Sequence, residues 1–141
     1  MAEAWLRDED EALLAAARLA RERAYAPYSR FPVGAAVRAA DGRIFQGCNI
    51  ENASYGLTIC AERVAVFQAV AAGVRQLVAV AVVGPGDEPC RPCGACRQVL
   101  REFGLEMRVI MAGEDGPVEV TTLDELLPRS FGPDHLGPQP G

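Results

Sequence analysis

The sequence lacks the segments that secretion or membrane insertion would require. No run of about 18 uninterrupted apolar residues occurs, and the first ten residues contain no basic region followed by an apolar stretch. Lys and Arg together number 14 against 19 Asp and Glu, a formal net charge of -5. Because nucleic-acid phosphates are bound by clustered basic side chains, this balance argues against a polynucleotide partner. We therefore expect a small-molecule substrate, no nucleic-acid partner and no membrane association.

Histidine and cysteine are both scarce. The single histidine, His135, lies in a Gly/Pro-rich tail, where we expect it to be solvated rather than bound to a metal. The five cysteines are an odd number, and three of them fall within residues 90–96. A chain of 141 residues can fold without disulfides, so this cysteine usage favours the reducing cytoplasm.

Apolar periodicity and turn residues predict alternating helices and strands. A capping-box spacing of Asp8 and Glu11 begins the first helix, which ends before Pro27, and Thr58 is a candidate cap for the second. Further helices are predicted over residues 60–72 and 93–103 and after residue 122, and strands over residues 33–40, 44–49, 77–83, 107–112 and 118–121.

This order predicts an α/β fold, a three-layer α/β/α sandwich around a five-stranded mixed sheet. Residues 77–83 are continuously apolar, which is typical of a strand buried on both faces, and we expect them to form the middle strand. Length and composition suit a single domain over residues 1–131. Residues 132–141 are rich in Gly and Pro and are predicted to form an irregular tail.

Two cysteine motifs about thirty residues apart carry the chemistry. Residues 60–62 read Cys-Ala-Glu, and residues 92–96 read Pro-Cys-Gly-Ala-Cys. The thiols of Cys93 and Cys96 are three residues apart and therefore neighbours on one helix face. Three cysteine ligands would leave the fourth tetrahedral position of a zinc ion open for water. This pairing of motifs is the signature of zinc deaminases, in which Glu62 would serve as general acid and base rather than as a ligand.

Arginine residues next to the cysteine motifs could offset the negative charge of the thiolates, and helix geometry limits where Cys60 and Glu62 can lie. Three thiolates around Zn²⁺ leave a net charge of -1, and Arg63 is the best-placed cation to donate to a ligand sulfur, with Arg97 the second candidate. An ideal helix would separate Cys60 and Glu62 by about 200°. We therefore expect both residues in an irregular first turn of the second helix.

Simpler readings of the cysteines compete with the catalytic one. A Cys-x-x-Cys pair is often a structural zinc knuckle or a redox pair, and Cys90 as a fourth ligand would close the site. The spacing of Cys90, Cys93 and Cys96 also imitates an iron–sulfur motif, but the next expected position is Leu100. Cys48 reads as a small core residue. The carboxylate of Glu62, close in sequence to Cys60, favours a catalytic zinc site over these alternatives.

Taken together, the motifs resemble the small homotetrameric cytidine deaminases that act on free nucleosides. The resemblance covers nearly the whole chain, at residues 28–34, 47–55, 60–63, 92–98 and 126–128. It implies a cytidine deaminase-like fold, one zinc ion per subunit bound by Cys60, Cys93 and Cys96, and Glu62 as the proton shuttle.

The resemblance also implies how a nucleoside would be bound. Phe31 would pack on the pyrimidine ring, Asn49 and Glu51 would hydrogen-bond the ribose 3′-hydroxyl, and the backbone around Ala61 would contact the base. Three residues would complete the pocket of a neighbouring subunit, so that the homotetramer shares its active sites: Ala53, Tyr55 and Phe131. Cys90 and the long tail depart from the family pattern.

The implied activity is the zinc-dependent hydrolytic deamination of cytidine and deoxycytidine to uridine and deoxyuridine plus ammonia, in pyrimidine salvage. This is a hydrolase reaction at a cyclic amidine C–N bond. A carboxylate of Glu51 at the 3′-hydroxyl would repel a 3′-phosphate. Two alternatives remain open, an aminonucleoside-antibiotic deaminase of the blasticidin S type and a non-catalytic zinc module. The presence of Phe31, Asn49 and Glu51 favours the nucleoside substrate.

Overall fold

The computed structural model describes residues 6–137. Its elements in chain order are α1 (Asp8–Arg21), β1 (Gly34–Ala39), β2 (Ile44–Cys48), α2 (Ala61–Ala71), β3 (Leu77–Val83), α3 (Gly94–Arg101), β4 (Arg108–Ala112), β5 (Glu119–Thr122) and α4 (Leu123–Leu126), with single 3₁₀ turns at Tyr55–Leu57 and Pro133–His135. Among residues 6–137, no helix combines the length and the apolar character needed to cross a membrane.

The strands form one mixed sheet in the order β2-β1-β3-β4-β5. Only β3 and β4 pair in parallel, and the other neighbouring strands are antiparallel. The continuously apolar β3 lies in the middle, as its sequence predicts. The five-stranded mixed sheet is therefore confirmed.

Helices cover both faces of this sheet and divide the core into two layers. On one face Leu13 and Ala17 of α1 pack with Ala81 of β3, and on the other Val66 of α2 packs with Val80 of β3. Successive residues of β3 thus point into opposite layers, which explains why the strand has no polar face. The predicted α/β/α sandwich is confirmed.

The helix starts lie close to the predicted positions, but their caps differ. The N-cap of α1 is Arg7, and Asp10, rather than Glu11, accepts its backbone N–H at 2.9 Å. The capping carboxylate lies three residues after the N-cap, so a shift of the cap by one residue exchanges the partner. The N-cap of α2 is Cys60, not the predicted Thr58.

Part of the C-terminal segment packs on α3. The nearly buried guanidinium of Arg101 donates to Asp134 and to the hydroxyl of Ser130, each at 2.8 Å, and Pro133–His135 form a 3₁₀ turn. The prediction of an irregular tail is thus wrong for these residues, because the buried Arg101 ties them down. Residues 138–141 of the predicted tail lie outside the described residues, and the division of the chain at residue 131 stays a prediction.

A buried ion pair joins α1 to β4. The Arg108 guanidinium contacts both carboxylate oxygens of Asp10, with Nε–Oδ1 at 3.0 Å and Nη2–Oδ2 at 2.7 Å. Burial alone would raise the pKa of Asp10. The hydrogen bonds from Arg108 and from the Arg7 backbone nevertheless lower this pKa below its usual value of 3.8.

We predict that Asp10→Asn lowers the free energy of unfolding at pH 7 by about 2 kcal/mol, because Arg108 keeps partial contact with water after losing its partner. Because the folded-state pKa of Asp10 is lowered, its stabilisation is present above the unfolded-state pKa near 3.8 and is lost as the pH falls through the folded-state pKa. The difference between wild type and variant should therefore shrink below pH 3.8. Urea denaturation across this pH range measures it.

Asp8→Asn is the matched control, since Asp8 is an exposed carboxylate in the first turn of the same helix. The zinc site is common to all three proteins, so its loss in acid cancels in the comparison. Equal destabilisation by the two substitutions, or a difference that acid leaves unchanged, would contradict the role given to the ion pair.

Candidate metal centre and active site

Three thiols meet where the N-termini of α2 and α3 come together. Cys60 is the N-cap of α2, Cys93 is the N-cap of α3, and Cys96 lies in the first turn of α3. Cys60 has an extended backbone with ψ 154, so it precedes the helix, and Glu62 is the second helical residue. This confirms that the angular separation of an ideal helix does not apply to the pair. The positive ends of both helices favour thiolates.

The spacing of the sulfur atoms fits a zinc ion. The Cys60 and Cys93 sulfurs are 3.9 Å apart, the Cys93 and Cys96 sulfurs are 3.5 Å apart, and all three lie within 4.8 Å of one another. Tetrahedral zinc with Zn–S bonds of about 2.3 Å would hold its ligand sulfurs about 3.8 Å apart. No fourth Cys, His, Asp or Glu of residues 6–137 joins this cluster. The donor set thus fits a zinc site with one open position.

Cys90 lies beside the cluster without joining it. A Cβ added to Gly84 would lie 3.0 Å from the Cys90 sulfur and 3.6 Å from the Phe31 ring, so both side chains border the same glycine. Burial raises the pKa of Cys90 to about 11, which keeps its thiol protonated. Cys90 therefore places a neutral thiol beside Gly84, which Phe31 also borders.

Glu62 is a buried carboxyl next to the thiols. Its exposed fraction is 4%, and burial, reinforced by the nearby negative charge of Cys60, raises its pKa to about 7. A carboxyl with this pKa can both accept and release a proton near neutrality. The side chain therefore has the property that an acid/base catalyst requires.

Hydrogen bonds to sulfur shift the pKa values of two thiols in the cluster in opposite directions. A hydrogen bond with the Cys96 thiol, opposed by burial and assisted by Arg63, lowers the pKa of Cys60 to about 5, and the same bond raises the pKa of Cys96. Arg63 Nη2 lies 3.4 Å from the Cys60 sulfur, as the sequence predicts. Its Nε is buried and has no hydrogen-bond partner among the described residues.

Arg97, the second predicted donor to sulfur, does not contact the thiols. Its guanidinium donates to the carbonyl oxygens of Pro92 and Leu126, each at 2.8 Å. One helical residue beyond Cys96 corresponds to a rotation of about 100° around α3, which turns this side chain away from the cluster. The prediction for Arg97 is wrong. The Arg97 side chain instead joins α3 to the end of α4.

The predicted nucleoside-binding residues surround one loop. Asn49 is buried, and its amide donates to the Phe31 carbonyl and accepts from the Val33 N–H, each at 2.9 Å. Glu51 Oε1 accepts backbone N–H groups from Tyr28 at 2.9 Å and from Ser29 at 3.1 Å. The structure thus brings three predicted residues, Phe31, Asn49 and Glu51, together at residues 28–33.

Backbone pairing holds this loop region next to the metal centre. Ile50 and Ile59 form an antiparallel bridge, with both N–O distances at 3.0 Å, and Ile59 directly precedes Cys60. Gly47 allows α2 to lie close to β2, because a Cβ there would be 2.4 Å from the backbone nitrogen of Ala65. Ala61, the first residue of α2, is 1% exposed. The segment that contains Asn49 and Glu51 therefore runs alongside the start of α2.

The three residues assigned to a neighbouring subunit's pocket are all exposed. Ala53 and Tyr55 lie in the surface segment before α2, where the Tyr55 ring is 5.6 Å from that of Tyr28. Phe131 lies on the segment that follows α4 and stacks on His135 at 5.4 Å. His135 is exposed, as predicted, while its ring stacks on Phe131.

Ser29 is a residue of this region to which the sequence analysis assigns no role. Its hydroxyl is hydrogen-bonded to Glu51 Oε2 and accepts the backbone N–H of Phe31 at 3.0 Å. A serine two residues before an amide can form such a local bond, and that spacing is the one signal that the sequence contains. Its bond to Glu51 depends on the fold.

Comparisons with known proteins agree with this site. Residues 7–112 match the family model described as the cytidine and deoxycytidylate deaminase zinc-binding region. A cytidine deaminase of Sporosarcina psychrophila is 52% identical over 127 residues, which cover 89% of this chain and 93% of the relative. A cytidine deaminase of Mycobacterium tuberculosis is 49% identical over 113 residues, which cover 80% of this chain and 82% of the relative.

A solved structure shows the same fold. The crystal structure of a cytidine deaminase from Burkholderia pseudomallei is similar to this chain with a TM-score of 0.83 and 54% sequence identity, covering 86% of this chain and 98% of that one. The family match, the high identity over most of the chain and the three-thiol cluster lead to one assignment: the chain belongs to the cytidine and deoxycytidylate deaminase zinc-binding family.

Proposed function

We propose that the protein hydrolyses free cytidine and deoxycytidine to uridine and deoxyuridine with release of ammonia, using one zinc ion per subunit. Cys60, Cys93 and Cys96 would bind the ion. One observation carries the proposal, namely three thiols spaced for a single zinc ion beside the buried carboxyl of Glu62. The similar proteins described above, all of them cytidine deaminases, support it.

The reaction requires Glu62 to carry two protons, each from oxygen to nitrogen. A bound zinc ion supplies the Lewis acidity that makes water nucleophilic at neutral pH. Glu62 accepts the proton of the attacking water as its oxygen adds to C4 of the cytosine ring. It delivers that proton to N3, then takes the proton of the new C4 hydroxyl and passes it to the amino group, which leaves as ammonia while C4 becomes a carbonyl. A carboxyl with a pKa near 7 suits both directions of transfer.

The loop beside the metal centre would orient the nucleoside. Phe31 packs on the pyrimidine ring, the backbone around Ala61 contacts the base, and Asn49 and Glu51 bind the ribose 3′-hydroxyl. The Ser29 hydrogen bond lowers the pKa of Glu51, so its side chain is an ionised acceptor at neutral pH.

An ionised carboxylate at this position restricts the substrate class. A 3′-phosphate would face like charge at Glu51, and the net charge of -5 repels a polynucleotide. The proposed contacts do not involve a 2′-hydroxyl. The protein would therefore accept cytidine and deoxycytidine but not nucleic acid.

Neither alternative function is favoured. The high identity to cytidine deaminases over most of the chain argues against an antibiotic deaminase of the blasticidin S type. The burial of a carboxyl beside an open three-thiol cluster argues against a non-catalytic zinc module, since removing an ionisable group from water is costly without a function. All five cysteines are free, which suits the reducing cytoplasm and pyrimidine salvage there.

The active unit would be a homotetramer with shared sites. Ile50, Leu57 and Phe67 are 46%, 64% and 49% exposed, and together they line an apolar hollow next to the proposed nucleoside site. An exposed apolar surface of this kind is typical of subunit contacts. Tyr55 and Phe131 are exposed as well, so they are available to a neighbouring subunit's pocket.

Glu62→Gln should reduce kcat/KM for cytidine and deoxycytidine by at least about 10²-fold, because the amide cannot transfer protons. Zinc content should stay near one ion per chain, since Glu62 is not a ligand. The test measures the absorbance change on deamination together with zinc content. Glu106→Gln, at an exposed glutamate, is the control. Full activity of Glu62→Gln, or deamination of blasticidin S but not of cytidine, would refute the proposal.

Arg63→Met should weaken zinc retention by about 10-fold or more, because the Cys60 thiolate loses its charged hydrogen-bond donor. Zinc transfer to a chromogenic chelator measures this effect. Arg97→Met is the matched control, since the Arg97 guanidinium donates to two carbonyl oxygens near the same cluster. If both variants release zinc at the wild-type rate, or Arg97→Met alone releases it faster, the role of Arg63 is wrong.

Shared active sites make activity depend on assembly. We predict that the molar mass in solution equals four 15.1 kDa chains, and that specific activity and molar mass fall together on dilution. Light scattering and activity assays at matched protein concentrations test this, with zinc content as the control. A monomer with full specific activity would exclude shared sites.

A further inference from the structure

We propose that Ser29 is a positioning residue that joins the carboxylate of Glu51 to the loop that presents Phe31, so that the ribose and base contacts act as one unit. The proposal rests on the proposed function, in which these two residues bind the nucleoside. It adds a residue that would set substrate affinity without contacting the reacting atoms.

The hydroxyl of Ser29 has two partners, one that needs a hydrogen-bond donor and one that needs a hydrogen-bond acceptor. An ionised Glu51 can only accept hydrogen bonds, so Ser29 must donate its proton to Oε2. The hydroxyl oxygen then accepts the Phe31 N–H at 3.0 Å. One hydroxyl therefore links the Glu51 side chain to the Phe31 backbone.

The rest of Phe31 is held by polar contacts more than by packing. Its carbonyl accepts from the amide of Asn49 at 2.9 Å, while its side chain is 49% exposed. The preceding residue, Arg30, has φ 56, a left-handed conformation that is unfavourable for a residue with a side chain. A strained loop with an exposed aromatic ring depends on hydrogen bonds to keep its conformation. The Ser29 hydroxyl supplies one of them by accepting the backbone N–H of Phe31.

The hydrogen-bonding capacity of Glu51 leaves room for one ligand group. A carboxylate offers about four acceptor positions, two on each oxygen. Backbone N–H groups of Tyr28 and Ser29 occupy Oε1, and the Ser29 hydroxyl occupies one position on Oε2. The remaining position is on Oε2.

A ribose hydroxyl would therefore bind the same oxygen that Ser29 orients. Loss of the Ser29 hydroxyl removes the donor that orients Oε2 of Glu51, while the two backbone N–H groups still hold Oε1, and it releases the Phe31 amide. The first change weakens the contact with the 3′-hydroxyl, and the second loosens the ring against which the base packs. Both changes affect binding, whereas proton transfer at Glu62 and the zinc ligands remain intact.

The test compares wild type, Ser29→Ala and the conservative Ser29→Thr with two substrates, deoxycytidine and 2′,3′-dideoxycytidine, which lacks the 3′-hydroxyl. We expect Ser29→Ala to raise KM for deoxycytidine about tenfold, with kcat and zinc content little changed. The penalty in kcat/KM for removing the substrate 3′-hydroxyl should shrink severalfold in Ser29→Ala, as expected for two coupled groups. Ser29→Thr should restore much of both effects. Ser54→Ala removes another exposed serine hydroxyl as the control.

The outcomes separate this proposal from the proposed function. If the wild type deaminates deoxycytidine and Ser29→Ala leaves KM and the 3′-hydroxyl penalty unchanged, the positioning role is wrong and the proposed function stands. A fall in kcat alone, or a loss of zinc, would also overturn it, because a general structural defect would have that signature. If the zinc-loaded wild type turns over neither nucleoside, the proposed function itself fails, and the role of Ser29 with it.

Discussion

Three thiols and one buried carboxyl have to be held within a few ångströms of one another, and the packing of α2 and α3 on one face of the sheet provides this. Cys60 and Cys93 occupy equivalent N-cap positions, so each helix contributes a thiol where its backbone dipole favours negative charge. Gly47 lets α2 approach β2, and the Ile50–Ile59 bridge holds the nucleoside-binding segment alongside. The metal centre and the proposed ribose contacts therefore depend on the same helix–sheet packing.

The fold also sets a different protonation behaviour for each of three carboxyl groups. Burial raises the pKa of Glu62 to about 7, as proton transfer requires. Asp10 is also buried, but Arg108 and the N-terminus of α1 keep its pKa low, and the group joins two elements of the core. Half-buried Glu51 has its pKa lowered by Ser29 and backbone N–H groups, which suits a hydrogen-bond acceptor. The chain contains no lysine, so every cationic side chain is an arginine, and Arg63, Arg97 and Arg101 each reach distinct partners with a planar donor group.

The predictions from sequence succeeded where a signal is local and periodic. The seven apolar residues Leu77–Val83 form the middle strand with the predicted ends, and every predicted helix and strand is present in the predicted order. Apart from the C-terminal tail, the errors concern single side chains at element ends. The capping carboxylate of α1 is Asp10 rather than Glu11, and Arg97 reaches carbonyl oxygens rather than sulfur. A shift of one residue along a helix rotates a side chain by about 100°, and a sequence pattern does not resolve element ends that finely.

By itself the sequence determined the alternation of elements, the three cysteines expected to bind zinc and the carboxyl beside them, because each follows from spacing within one short segment. Tertiary structure alone decided which atoms of distant segments form hydrogen bonds with one another. The hydrogen bonds of Ser29 with Glu51, of Asn49 with Phe31 and of Arg101 with Asp134 join residues 18 to 33 positions apart. Such bonds depend on how loops approach one another after the sheet has formed, and their polar residue types are compatible with many other partners. The physical reason is that covalent spacing limits local geometry tightly, whereas contacts between distant segments arise only from packing.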